Sequence, residues 1–339
     1  MRDLARLPKA HLHLHLTGSM RPGTLRDLAG AHGLEAPPEL LESPVDLWTS
    51  GRRDWSFFQR LYDAARSTVR TPADVDRVIR DAAISDRADG GVWLELQVNP
   101  GSYATRFGLG LDRTVGRLVD AGRRAADEVG LGVGLVIATS WGATPDAAQD
   151  LARVAASFAG RGVVGFGISE DDRRGRPGDF AVAFAIARAA GLLVAPHSGF
   201  YTGPDHVRSC VRDLGARRIG HGLSAVGDAD VLDLLARERV ALEICPTSYP
   251  ALGIVPTLAD VPLRRLWDAG VPVALAADDP LLFGVGLLGQ YHIARDVLGF
   301  DDGELAELAR QSVLASAASA SDRVGWLAAI DDWMSTSDS

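Results

Sequence analysis

Lys9-Ala10-His11-Leu12-His13-Leu14-His15-Leu16-Thr17-Gly18 alternates histidine with alanine or leucine and stops at a glycine. In an extended strand successive side chains point to opposite faces, so His11, His13 and His15 share one face while the leucines pack on the other. Imidazoles two residues apart at a strand end can both reach one cation, and zinc favours that donor. A polar-faced edge strand would read the same way, so the rest of the chain decides between the two.

Further along, short apolar runs alternate with helical stretches. Strand-like runs fall at Val92–Val98, Val133–Ala138, Val163–Ile168, Leu192–Ala195, Arg217–Gly220, Val240–Cys245 and Val271–Ala276. With the histidine strand they make eight. Thr71-Pro72-Ala73-Asp74 and Thr144-Pro145 open helices with a threonine cap and proline in the first turn. Eight strands alternating with helices, without a linker or composition break, predict an α/β fold of the (β/α)₈ TIM type, with extra helices after strand one. A doubly wound open sheet is the rival, weakened by the lack of a Gly-x-Gly-x-x-Gly after the first strand.

The chain reads as one barrel domain, 1–339, with a helical insertion over about 20–75 and a frayed tail at 335–339. Within the insertion a helix spans roughly Arg21 to His32, Pro37-Pro38 breaks the pattern, and a second helix carries Trp55, Phe57, Phe58, Leu61 and Tyr62. That aromatic face suits core packing, or a lid over a substrate.

Composition narrows the function classes. A hydrophobic content of 47% over 339 residues is ample for a large core, and a net charge of −9 argues against a nucleic-acid surface. Cys210 and Cys245 stand far apart, which excludes a disulfide framework and suits a reducing compartment. No signal-like or membrane-length apolar run is present, so the expected product is a cytoplasmic protein acting on a small molecule, with neither nucleic acid nor membrane as partner.

Active sites of such barrels form at the C-terminal strand ends. Here the first strand ends with His13 and His15, the fifth at Pro196-His197-Ser198-Gly199, the sixth at Gly220-His221-Gly222 and the eighth at Ala277-Asp278-Asp279-Pro280. A single strand-end histidine is ordinary. Four of eight strand ends carrying ligand-type side chains point to a mononuclear metal site.

These segments resemble the adenosine deaminase family of metal-dependent aminohydrolases, within the amidohydrolase superfamily. The likeness runs from Pro8 to about Tyr291 and includes Pro8–Gly18, Gly220-His221-Gly222, Leu242-Glu243-Ile244-Cys245-Pro246-Thr247-Ser248 and Ala277–Gly284. It implies that His13, His15, His197 and Asp278 hold one zinc (or another divalent metal) per chain. It further implies that His221 takes a proton from the attacking water and that Asp279 positions the water or a ring nitrogen. The implied reaction is hydrolytic deamination of an aminopurine nucleoside or related nitrogen heterocycle, metal-bound hydroxide attacking the amino-bearing carbon. Another C–N hydrolysis or a lyase-type step on the same scaffold, or a non-catalytic ligand-binding protein, are the alternatives.

Three positions depart from the family pattern. After the fifth-strand histidine the family has a small residue, glycine and a ring-protonating glutamate; this chain has Ser198, Gly199 and Phe200. Phenylalanine cannot donate that proton. Thr17 replaces the acidic residue that holds a ribose hydroxyl, and Glu170 replaces a glycine whose backbone approaches the purine. Glu170 is either a solvated loop residue or the acid that replaces the one lost at Phe200. Thr17, Gly199 and Phe200 are the expected substrate-side positions, and together with Glu170 they argue against plain adenosine as the best substrate. Relatives acting on aminofutalosine-type nucleosides illustrate one other choice.

Overall fold

Strand-forming runs bounded by capped helices build eight parallel strands in sequential order. In the computed structural model, which describes residues 1–41 and 54–336, they are β1 (Lys9–His15), β2 (Gly91–Val98), β3 (Gly132–Ser140), β4 (Val163–Ser169), β5 (Leu193–Ser198), β6 (Arg218–His221), β7 (Ala241–Ile244) and β8 (Val273–Leu275). Every strand expected from the sequence is present, with ends shifted by up to three residues. The largest difference is at β5, which runs on through His197 and Ser198 instead of stopping before them.

The ring closes where β8 has already ended. Leu14 and Asp278 form an isolated parallel bridge, with His15 N donating to Asp278 O at 3.0 Å and Asp278 N to His13 O at 3.1 Å. Barrel closure and three of the expected metal ligands, His13, His15 and Asp278, therefore share the same backbone hydrogen bonds.

Among the described residues four helices separate β1 from β2: α1 (Pro22–Ala31), α2 (Pro38–Leu41), α3 (Trp55–Ser67) and α4 (Pro72–Ala88). The first helical stretch ends at Ala31, well before Pro37, and Pro38 opens α2, where a first-turn proline sacrifices no hydrogen bond. Thr71 and Asp74 form a reciprocal capping box on α4, and Thr144 caps the helix Pro145–Ser157. Residues 42–53 of the expected insertion, and 337–339 of the expected tail, lie outside the described residues; Ser335 closes the helix Ala320–Ser335.

The apolar core lies between the barrel and its helices, and Cys210 and Cys245 are both free and buried. Among the described residues no helix is long and apolar enough to cross a membrane.

Candidate metal centre and active site

At the C-terminal end of the barrel, β1, β5 and the segment after β8 bring four donors to one point. His15 Nε2 lies 3.2 Å from His197 Nε2 and 3.3 Å from Asp278 Oδ1, and His13 Nε2 lies 3.4 Å from the same oxygen. A tetrahedron with arms of ~2.0–2.1 Å has edges of ~3.3 Å, so these separations suit one small cation. The three rings meet edge to face or tilted, with His13 and His197 centroids 4.4 Å apart.

The electrostatics agree with that reading. Burial opposes charge on His13, but Asp278 and Glu243 outweigh it and push its pKa up to about 10. Burial would lift Asp278, yet His13 and His15 hold it well below the usual carboxylate range. The surroundings thus favour positive charge at this point. Both ring nitrogens of His13 are buried and, among the described residues, without a hydrogen bond, which leaves Nε2 free to act as a donor to a cation.

Behind the donors lies a buried chain of ions that sequence reasoning had not singled out. His13 Nδ1 faces Glu243 Oε2 at 3.0 Å, and Glu243 Oε1 pairs with Arg218 Nε at 2.7 Å. Arg218 also pairs with Glu95, whose other oxygen accepts from Trp93 Nε1 and Ala317 N, each at 2.8 Å. A carboxylate beside Nδ1 favours the ring orientation in which Nε2 faces the cation position. One sign was visible in the strand Val92–Val98, where Glu95 and Gln97 break an otherwise apolar run at period two.

His11, the histidine omitted from the ligand set, is buried below the cluster. Its Nδ1 lies 2.6 Å from Asp86 Oδ1, and its Nε2 accepts from Ala277 N at 3.0 Å. It thereby anchors the backbone immediately before Asp278.

His221 stands beside the donors, its Nε2 4.0 Å from Asp278 Oδ2. Burial lowers its pKa to about 3 against the pull of Asp278, so the ring is neutral and can accept a proton. Asp279 is pushed well up by burial and by the neighbouring Asp278 charge, which leaves it able to donate a hydrogen bond. Among the described residues four non-glycine residues have left-handed backbone, and three of them are Glu170, His221 and Asp278. Such conformations are costly and concentrate where structure serves a site.

These groups open on a cavity whose far wall is α3. Trp55, Phe58 and Tyr62 line it, while Phe57 and Leu61 pack into the core. Glu170 and Phe200 also line the cavity. Glu170 is no freely solvated loop residue, because Ser140 Oγ donates to its Oε2 and holds it at the wall. The Phe200 ring packs on His221, centroids 4.6 Å apart, and on Tyr249. Thr17 lines the cavity but its hydroxyl is engaged with Tyr103 at 2.8 Å. Gly199 is not among the lining residues: it is buried at φ +70°, and a Cβ there would sit 2.7 Å from Ser224 Oγ and Val207 Cγ2. Its contribution is to turn the chain towards Phe200.

A model of the adenosine deaminase family matches residues 8–333. The chain belongs to the adenosine deaminase family. A Streptomyces coelicolor protein provisionally named adenosine/adenine deaminase is 52% identical over 339 residues, covering 98% of both chains. An aminodeoxyfutalosine deaminase of the same organism is 36% identical, covering 92% of this chain and 81% of its own. The crystal structure of adenine deaminase from Arthrobacter aurescens superposes with a TM-score of 0.88 at 27% identity, covering 97% of this chain and 99% of that one. Like the rest of the adenosine deaminase family, this chain is a hydrolase acting on C–N bonds, and its His/Asp groups are arranged to take a metal.

Proposed function

We propose that the protein is a zinc-dependent hydrolytic deaminase of an aminopurine or related nitrogen heterocycle, with plain adenosine not its preferred substrate. The convergence of His13, His15, His197 and Asp278 beside a neutral, buried His221 carries this reading. Zinc held by those four residues would supply the Lewis acidity that lets water act as a nucleophile near neutral pH.

The chain's own groups then divide the remaining work. His221 takes the proton of the attacking water at its free imidazole nitrogen. Asp279, kept protonated, donates a hydrogen bond to a ring nitrogen and orients the heterocycle. Glu170 protonates the ring as water adds, replacing the acid that Phe200 cannot be; its position on the cavity wall supports that role. Phe200 packs against His221 and keeps water off it, which favours the neutral ring. With Thr17 tied to Tyr103, no acidic residue follows His15 to grip a ribose hydroxyl.

Metal analysis of freshly purified protein, combined with ammonia release from a panel of purines, nucleosides and pterins, tests the proposal. About one zinc per chain and ammonia from aminopurines other than adenosine are expected. Protein that carries and binds no metal would overturn it, and adenosine as the most efficiently used substrate would overturn the reading of Thr17 and Phe200.

A further inference from the structure

Most polar side chains on the cavity wall already have an internal partner. Thr17 is engaged with Tyr103, Asn99 Oδ1 accepts from Gly101 N at 3.0 Å, and Gln59 donates to Asp63 at 3.0 Å. Gln97 differs. It lines the same cavity and is only 1% exposed, yet neither its Oε1 nor its Nε2 has a hydrogen-bond partner among the described residues.

Its position is firmly set. Gln97 lies opposite His15 in the β1–β2 register, and its carbonyl accepts from Leu16 N at 3.0 Å. It shares the inward face of β2 with Glu95, which the Trp93, Arg218 and Ala317 donors satisfy. One layer higher the amide faces the cavity with no partner among the described residues. A buried amide left unpaired is costly, and the cost is recovered when a ligand supplies both an acceptor and a donor.

We propose that Gln97 is a specificity-determining residue that reads the edge of the substrate turned away from the amino group, and that this edge is the N3/N9 edge of an aminopurine unsubstituted at N9. This assignment rests on the deaminase reading above. With the amino-bearing carbon at the donor cluster, the groups flanking the amino nitrogen are committed there. The opposite edge of a free aminopurine base presents an N9–H donor next to the N3 acceptor. An amide matches that pair, its Oε1 accepting from N9–H and its Nε2 donating to N3. A sugar at N9 removes the donor and sets a carbon against Oε1, so a nucleoside leaves the amide half-satisfied. Sites built to hydrogen-bond a substrate N–H reject analogues that lack it far better than apolar pockets can.

The test compares adenine, 9-methyladenine and adenosine on the wild type and on Gln97→Leu, by ammonia release, with zinc content and melting temperature measured alongside. The wild type should favour adenine over both N9-substituted compounds. Gln97→Leu should lower kcat/KM for adenine by at least roughly tenfold, mostly through KM, with zinc content kept and kcat/KM for 9-methyladenine, which offers the amide only N3, lowered less. A variant that handles adenine like the wild type, or a wild type that uses 9-methyladenine as well as adenine, overturns the assignment while leaving the deaminase reading intact. A wild type that releases ammonia from no aminopurine overturns the deaminase reading and this assignment together. If Gln97→Leu does not fold, calorimetric binding of purine and 9-methylpurine to the wild type decides: tighter binding of purine supports the assignment, and equal binding defeats it.

Discussion

Glu170 has φ +73°, a conformation that suits glycine, and its carboxylate lies against Ser140 on the cavity wall. Strained backbone of this kind concentrates at functional sites, so the side chain is the thing to test. Two substitutions separate the effects. Glu170→Gln keeps the shape and removes the proton, so kcat should fall by ~10²–10⁴-fold with zinc content unchanged; near-normal turnover would eliminate Glu170 as the acid. Glu170→Gly should lose the same activity yet raise stability by about 1 kcal/mol, since glycine adopts positive φ without steric cost; thermal melts with and without chelator would show it. His11 acts through the backbone of Ala277. His11→Ala should weaken zinc binding by ~10–100-fold in a chelator competition while leaving the fold intact, whereas unchanged affinity would make His11 a packing residue only.

At the scale of elements, the donors on β1, β5 and after β8 are backed by an ionic chain from three other strands, Glu95 on β2, Arg218 on β6 and Glu243 on β7, which meets them at His13. All three residues are buried, so removing the central cation leaves two carboxylates without their partner. Arg218→Met is expected to cost about 3–5 kcal/mol in urea unfolding and to loosen His13; a loss under 1 kcal/mol would mean that the carboxylates find other partners. The turn that carries Phe200 has its own support. Asp172 accepts from the backbone nitrogens of Phe200 and Tyr201 at 3.0 and 3.1 Å, and from Thr202 Oγ1 at 2.7 Å. A single carboxylate thus fixes the segment after β5 at the cavity edge.

Over the whole molecule the two ends of the barrel face opposite demands. The C-terminal end gathers charge around a cation position, whereas the N-terminal end buries a lone ammonium, Lys9, which donates to Leu4 O and Leu7 O at 2.6 and 2.7 Å. Burial lowers the Lys9 pKa from 10.5 to about 7, against the opposing pull of Asp86, Asp89 and Asp3. The folded state therefore holds fewer protons than the unfolded state between those values, so this group's contribution to stability rises with pH from about 7 to 10.5 and is flat below 7. Urea midpoints at pH 7 and 9.5 should show that rise in the wild type relative to Lys9→Met, which lacks the titrating group; parallel profiles would contradict it.

The alternation of apolar runs with capped helices determined the eight strands and the barrel order, because strand and helix patterning is local and survives in one dimension. That His13, His15, His197, His221, Asp278 and Asp279 stand at strand ends was legible for the same reason, since barrels collect their strand ends in one place, whereas the choice of four as metal donors was implied by the family resemblance. Which polar groups are satisfied and which stay open was decided by the tertiary structure alone. His11 looks like its two neighbours in the chain, yet Asp86 and Ala277, remote in sequence, consume both of its nitrogens. Gln97 reads as one more polar residue on a strand face, and nothing local records that its amide is left unpaired among the described residues. Hydrogen-bond satisfaction depends on partners brought close by the closed barrel, and the periodicity of a strand carries no information about them.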